Sequence, residues 1–156
     1  MKGHPEVIKI LNKLLADELT AINQYMVHAE MCEDWGYSSL YGVVKARAIK
    51  EMKHAEKLIS RILFLGGSPE VDKLNPIHIG SNIEKILKND HQAEVEAYEA
   101  YNEVIKYVGE KKDFGSRRLL EKILQDEEEH LDFLEEQLDQ IEQMGIENYL
   151  STLKGE

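Results

Sequence analysis

One cysteine in 156 residues, Cys32, cannot close an internal disulfide. The fold must therefore be held by its core, which a chain of this length can build without staples. Basic residues are also scarce: 19 Lys and Arg stand against 30 Asp and Glu, a net charge of -11. That balance argues against non-specific binding to nucleic acid or an anionic membrane and favours attraction of cations. No apolar run approaches the roughly 18 residues that a membrane span requires. The opening MKGHPEVIKILNKLLADELT lacks the uninterrupted apolar centre of a secretion signal. The expectation is a soluble, cytoplasmic protein with no nucleic-acid and no membrane partner.

Glycine and proline are almost missing from residues 5–65. There Ile8, Leu11, Leu15, Ile22 and Met26, then Val44, Ala48, Ala55, Leu58, Ile62 and Leu65, recur at helical spacing. MCEDWGYSS interrupts the run, so the pattern predicts helices over 5–33 and 38–65. Two prolines and three glycines gather in GGSPEVDKLNPIHIGSN, a connection of 17 residues. Ser81 and Asn82 can cap a third helix over 83–111, and KKDFGS leads into a fourth over 115–144. The short amphipathic IENYLSTL predicts a fifth over about 147–153. No strand alternation, repeat or low-complexity tract is apparent.

Rods of nearly thirty residues, at ~1.5 Å each, are on the order of 40 Å long and can bury their stripes only against one another. Short first–second and third–fourth connections imply antiparallel hairpins, while the longer middle connection can travel the length of a bundle. The expected architecture is all-α: one domain over 1–156, an antiparallel four-helix bundle with a single long crossover and a short C-terminal fifth helix.

Two segments break the apolar pattern in the same way. EMKH supplies Glu51 and His54, and DEEEH supplies Glu127 and His130, each a Glu-x-x-His pair whose members share one helix face. Leu120, Ile123, Leu124, Leu131 and Leu134 surround Glu127 at helical spacing, as Ala48, Ala55 and Leu58 surround Glu51, so both pairs face inward. By the same test Glu18 lies among Leu11, Leu14, Leu15, Ile22 and Tyr25, and Glu94 among Leu87, Ala97, Tyr98 and Tyr101. Four buried carboxylates would repel one another and take up protons unless cations compensate them. One Glu from each of two helices, with Glu-x-x-His from each of the other two, is the pattern of ferritin-like di-iron or di-manganese sites. Mixed oxygen and nitrogen donors suit iron, manganese or zinc, of which zinc would bind without being oxidised.

Other candidates are weaker. Glu128 and Glu129 rotate away from the stripe into solvent. His28 reads as a hydrogen-bonded packing residue, and His4, His78 and His91 as surface or loop residues. Tyr25 and Tyr101 read as core aromatics, with Tyr25, two turns from Glu18, within reach of a ligand. Met52 lies roughly 130° around its helix from the midpoint of Glu51 and His54. Facing outward, this flexible thioether suits contact with a second subunit.

The whole chain, from NKLLADELTAINQY through EMKHAEKLISRILFL and DEEEHLDFLE to QMGIENYL, resembles the bacterioferritin family. That resemblance implies a 24-subunit hollow shell, built of dimers, that stores oxidised iron. It makes Glu18, Glu51, His54, Glu94, Glu127 and His130 the catalytic and metal-binding residues of a ferroxidase centre holding two iron ions per subunit, with Glu51 and Glu127 as bridges. It gives Met52, with its mate from a second subunit, as the axial ligands of a b-type haem. Fe(II) and dioxygen or hydrogen peroxide become the expected substrates, and a ferredoxin the expected donor for iron release. It also suggests shell contacts for the C-terminal segment. Where some members carry a histidine and an aspartate that hold an inner iron, this chain has Ala46 and Lys50, with Arg47 nearby, so that inner site is not expected here. A rubrerythrin-like peroxidase would need paired cysteines that the chain lacks. A haem-bridged electron carrier with a static metal would leave Fe(II) oxidation untouched by loss of Glu18.

Overall fold

A computed structural model describes residues 1–154. Five helices follow in order: α1 (Pro5–Asp34), α2 (Ser38–Phe64), α3 (Ile83–Glu110), α4 (Phe114–Met144) and α5 (Ile146–Thr152). No strand occurs among the described residues. The helix ends differ by single residues from those the periodicity suggests, because caps set them. Pro5 opens α1, Asn82 Oδ1 accepts from Lys85 N at 2.9 Å to open α3, and Asp113 Oδ1 accepts from Ser116 N at 3.0 Å to open α4.

α1 and α2 form one antiparallel hairpin and α3 and α4 another. The hairpins pack with α1 against α3 and α2 against α4. The two are built alike in a register of 76 residues. At the end of α1, Tyr37 N bonds to Cys32 O around Gly36, which has φ 82; at the end of α3, Asp113 N bonds to Val108 O around Lys112, with φ 59. Both are left-handed helix stops. This internal repeat escapes a reading of the sequence, because the packing residues between the shared positions differ.

The crossover lies along α1. Asn12, Thr20, Gln24 and His28, on one face of that helix, serve its backbone: Asn12 Oδ1 accepts from Glu70 N at 2.8 Å, Thr20 Oγ1 from Asn75 N at 2.8 Å, Gln24 Oε1 from His78 N at 3.1 Å and His28 Nε2 from Gly80 N at 3.0 Å. An irregular strap without its own ladder needs such partners. Since His28 Nε2 is the acceptor, its Nδ1 donates to Asp90 Oδ1 at 2.8 Å, fixing the strap to α3 as well.

α5 folds back over the bundle end, where Tyr149 is fully buried and donates to Gln137 Oε1 at 2.6 Å. Tyr149 therefore serves its own bundle. The core falls into two apolar clusters. One, around Tyr25, Leu40, Val44, Leu87 and Leu134, is closed by α5; the other, around Leu11, Leu15, Leu58, Ile62, Val108 and Leu120, fills the opposite end. A band of charged side chains lies between them.

Candidate metal centre

Every helix of the bundle contributes to that band. Glu18 comes from α1, Glu51 and His54 from α2, Glu94 from α3, and Glu127 and His130 from α4, and none of the six is more than 5% exposed. Each was placed inward by its position among leucines and alanines, and all six converge. Donor atoms of Glu18, Glu51, His54 and Glu127 lie within 4.8 Å of one another, and so do those of Glu51, Glu94 and His130. Glu51 belongs to both groups, Glu127 to the first.

The 76-residue register carries through the site. It relates Glu18 to Glu94, Glu51 to Glu127, His54 to His130 and Tyr25 to Tyr101. The tyrosines cross over: Tyr25 of α1 donates to Glu94 Oε1 of α3, and Tyr101 of α3 to Glu18 Oε1 of α1, both at 2.5 Å. Tyr25 thus reaches one of the candidate carboxylates, but it is Glu94 of α3 and not Glu18, two turns away on its own helix. Tyr101, read from sequence as a core aromatic, does the same, and its position seven residues after Glu94 was the available signal.

Five carboxylate oxygens in the site have no hydrogen-bond partner among the described residues: Glu18 Oε2, Glu51 Oε1, Glu94 Oε2 and both of Glu127. A buried lone pair without a donor costs free energy, and five in one small volume could hold cations. Among the six side chains alone, protons supply the compensation. Burial, with the charge of neighbouring glutamates, holds Glu51 and Glu127 well above the usual carboxylate range, and burial raises Glu18 too. Burial also opposes charge on Glu94, but the neighbouring Glu127, His130 and Tyr25 outweigh it and bring that carboxyl down to about 2. For His54 burial favours the neutral ring, yet Glu127, Glu18 and Glu51 overrule it and push its pKa far up. A metal ion entering here would displace those protons.

Both imidazoles turn Nδ1 toward the carboxylates: His54 Nδ1 lies 3.0 Å from Glu127 Oε1 and His130 Nδ1 2.8 Å from Glu94 Oε1. The other nitrogen of His54 meets Asp126 Oδ2 at 2.8 Å. Asp126, which the sequence reading passed over, stands directly before Glu127 but serves a histidine on another helix. His130 is packed edge-on by Tyr25 at 5.3 Å and stacked by Phe133 at 6.5 Å. A cavity of about 580 Å³ adjoins the centre between α1 and α3, reaching Asp17, Glu96 and the crossover residues Asn75 and His78.

The remaining candidates lie elsewhere. Glu128, Glu129, His4 and His78 are exposed, and His91 pairs with Glu135 at 3.0 Å. Met52 is 46% exposed, with Ile49 exposed one turn before it, on the side of α2 opposite the buried Glu51 and His54. Ala46 and Lys50 are exposed, and Lys50 Nζ pairs with Asp126 Oδ1 at 3.4 Å. No helix among the described residues is long and apolar enough to cross a membrane.

Residues 8–144 match the family described as Ferritin, Ferritin-like domain. A bacterioferritin of Brucella melitensis is 42% identical over 149 residues, 96% of this chain and 92% of that protein. One of Streptomyces coelicolor is 42% identical over 153 residues, 98% and 92% of the two chains. One of Mycobacterium bovis is 40% identical over 149 residues, 96% and 94%. With near-complete coverage on both sides and five helices in this order, the chain belongs to the ferritin family, on its bacterioferritin branch.

Proposed function

We propose that this chain stores iron by oxidising it at the four-helix site and passing it to a mineral inside a shell of like subunits. The observation that carries the reading is the set of five partnerless carboxylate oxygens and two inward Nδ1 atoms in one buried band. Two Fe(II) ions enter as substrate, held by Glu18, Glu51, His54, Glu94, Glu127 and His130, with Glu51 and Glu127 between them. Each gives up one electron. Dioxygen takes up the pair with two protons and leaves as hydrogen peroxide, or hydrogen peroxide takes up the pair with two protons and leaves as two waters. The resulting Fe(III) moves to the mineral. The carboxylates balance the metal charge and hold both ions against one oxidant.

The shell reading, with 24 subunits, draws support from exposed apolar side chains on a single chain, among them Met26, Val43, Ile49, Met52 and Leu63. An exposed thioether on α2 also fits a b-type haem: Met52 from each of two subunits would hold it, and the group would carry electrons for iron release, with a ferredoxin as donor. Such chemistry belongs in a cytoplasmic protein.

The experiment is anaerobic titration of the protein with Fe(II), followed by exposure to air with rapid absorbance recording. Saturation at two irons per chain and fast oxidation, both lost in Glu18→Ala while assembly persists, are the expected results. Binding without consumption of oxidant would overturn the ferroxidase.

A further inference from the structure

The two halves of the centre share a register, and one position breaks it. Asp126, directly before Glu127, corresponds to Lys50, directly before Glu51. A symmetric site would have a carboxylate at both places, each accepting from the outer nitrogen of the histidine on the facing helix. Here only His54 is held this way, by Asp126 Oδ2 at 2.8 Å. Lys50 instead turns to Asp126 Oδ1 at 3.4 Å, and Arg47 Nη1 donates to the Asp126 backbone oxygen at 3.3 Å. His130 Nε2 has no hydrogen-bond partner among the described residues; its ring is held through Nδ1, 2.8 Å from Glu94 Oε1, and by the Tyr25 and Phe133 rings.

A carboxylate on the far nitrogen of a ligating histidine fixes its tautomer and orientation and raises its basicity. Asp126, anchored by Lys50 and Arg47, does this for one metal position, and no described residue does it for the other. A second observation points the same way: four donors converge around His54 but three around His130.

We infer that the two metal positions are inequivalent, the one at His54 binding first and more tightly and the one at His130 being the exchangeable one, with Asp126 and Lys50 as the positioning pair that sets the difference. This rests on the di-metal reading above. Loading is then ordered, the position at His54 filling before the one at His130.

Cobalt(II) is the probe, titrated anaerobically into the wild-type chain while its visible bands and paramagnetically shifted proton signals are followed. Two equivalents binding in separate steps, about ten-fold or more apart, are expected, with one slowly exchanging imidazole N–H signal from His54 appearing in the first step. Asp126→Ala should lose that signal and weaken the first step by about 10–100-fold, leaving the second unchanged. Lys50→Asn, which offers His130 a neutral acceptor, should strengthen the second step. Equal affinities in the wild type, or equal weakening of both steps in Asp126→Ala, would overturn the inference while leaving a di-metal site intact. Fewer than two equivalents bound would overturn the di-metal reading itself.

Discussion

Tyr25 and Tyr101 each spend their only donor on a carboxylate of the opposite hairpin, Glu94 and Glu18 respectively. A phenol in that position holds the carboxylate's rotamer and leaves its second oxygen for metal; Glu18 Oε2 and Glu94 Oε2 are both without protein partners. Phenylalanine would keep the packing and lose the donor. Tyr101→Phe and Tyr25→Phe are each expected to weaken metal binding by about 10–100-fold, the usual consequence of removing a partner of a ligand, with little change in helix content. Calorimetric titration with cobalt(II) checks this, and unchanged affinity in both variants would make the tyrosines mere core. Protons lead to a second expectation. Glu51 and Glu127 have raised pKa values, and so does His54, so each holds its proton more firmly than a free side chain does and must release it to a cation. Affinity should therefore fall as pH falls, with net proton release on metal binding measurable by titration in buffers of different ionisation enthalpy. No change in heat between buffers would contradict it. The inward placement of the six side chains was legible from sequence, because a carboxylate or imidazole recurring among leucines and alanines at helical spacing must face the core. Asp126 was not, since it sits one residue off the stripe and its partner, His54, is 72 residues away in sequence on another helix.

The helices themselves were legible for the same reason: long stripes without glycine or proline have no alternative partner than one another. What periodicity could not convey is how two hairpins repeat, because the repeat lives in turns and ligands. At the shared turn position α1 ends on Gly36 with φ 82, but α3 ends on Lys112 with φ 59, a left-handed conformation that L side chains rarely adopt. Lys112→Gly is expected to raise stability by about 0.5–1 kcal/mol, read as a higher urea midpoint with an unchanged slope; a lower midpoint would contradict the account. The next residue works in the opposite sense. Asp113 caps α4, accepting from Ser116 N at 3.0 Å and Ser116 Oγ at 2.6 Å, and pairs with Arg61 Nη2 at 2.8 Å. Burial opposes its charge, but Ser116 and Arg61 prevail and hold its carboxyl below the ordinary value. A depressed folded-state pKa means a contribution present above the unfolded pKa, near 3.8, and lost as pH falls through the folded value. Asp113→Ala should cost about 1–2 kcal/mol near pH 7, and the deficit should shrink as the solution is acidified below that range. A deficit independent of pH would locate the effect in packing.

Met52 is where one chain becomes part of something larger. Its neighbours Glu51 and His54 are 1% exposed while Met52 is 46% exposed, so a single turn of α2 presents ligands to its own bundle and a thioether to whatever lies outside. The two faces share a helix but no side chain, which separates their chemistry: loss of the outer sulfur should leave the inner Glu51 and His54 where they are. Met52→Leu conserves volume closely, a swap that folded proteins generally tolerate at under about 1.5 kcal/mol. If the thioether holds a haem between two subunits, the variant should assemble with no bound haem, oxidise Fe(II) within about two-fold of the wild-type rate, and release stored iron more slowly when reduced from outside. The three readouts are the alkaline pyridine spectrum for haem, rapid absorbance for oxidation, and ferrous chelation for release, with sedimentation to verify the shell. Retention of haem by the variant would remove Met52 as its ligand. Slow oxidation with an intact shell would instead show that the outer and inner faces of α2 are coupled, contrary to the rigid separation that the buried ligands and the exposed sulfur describe.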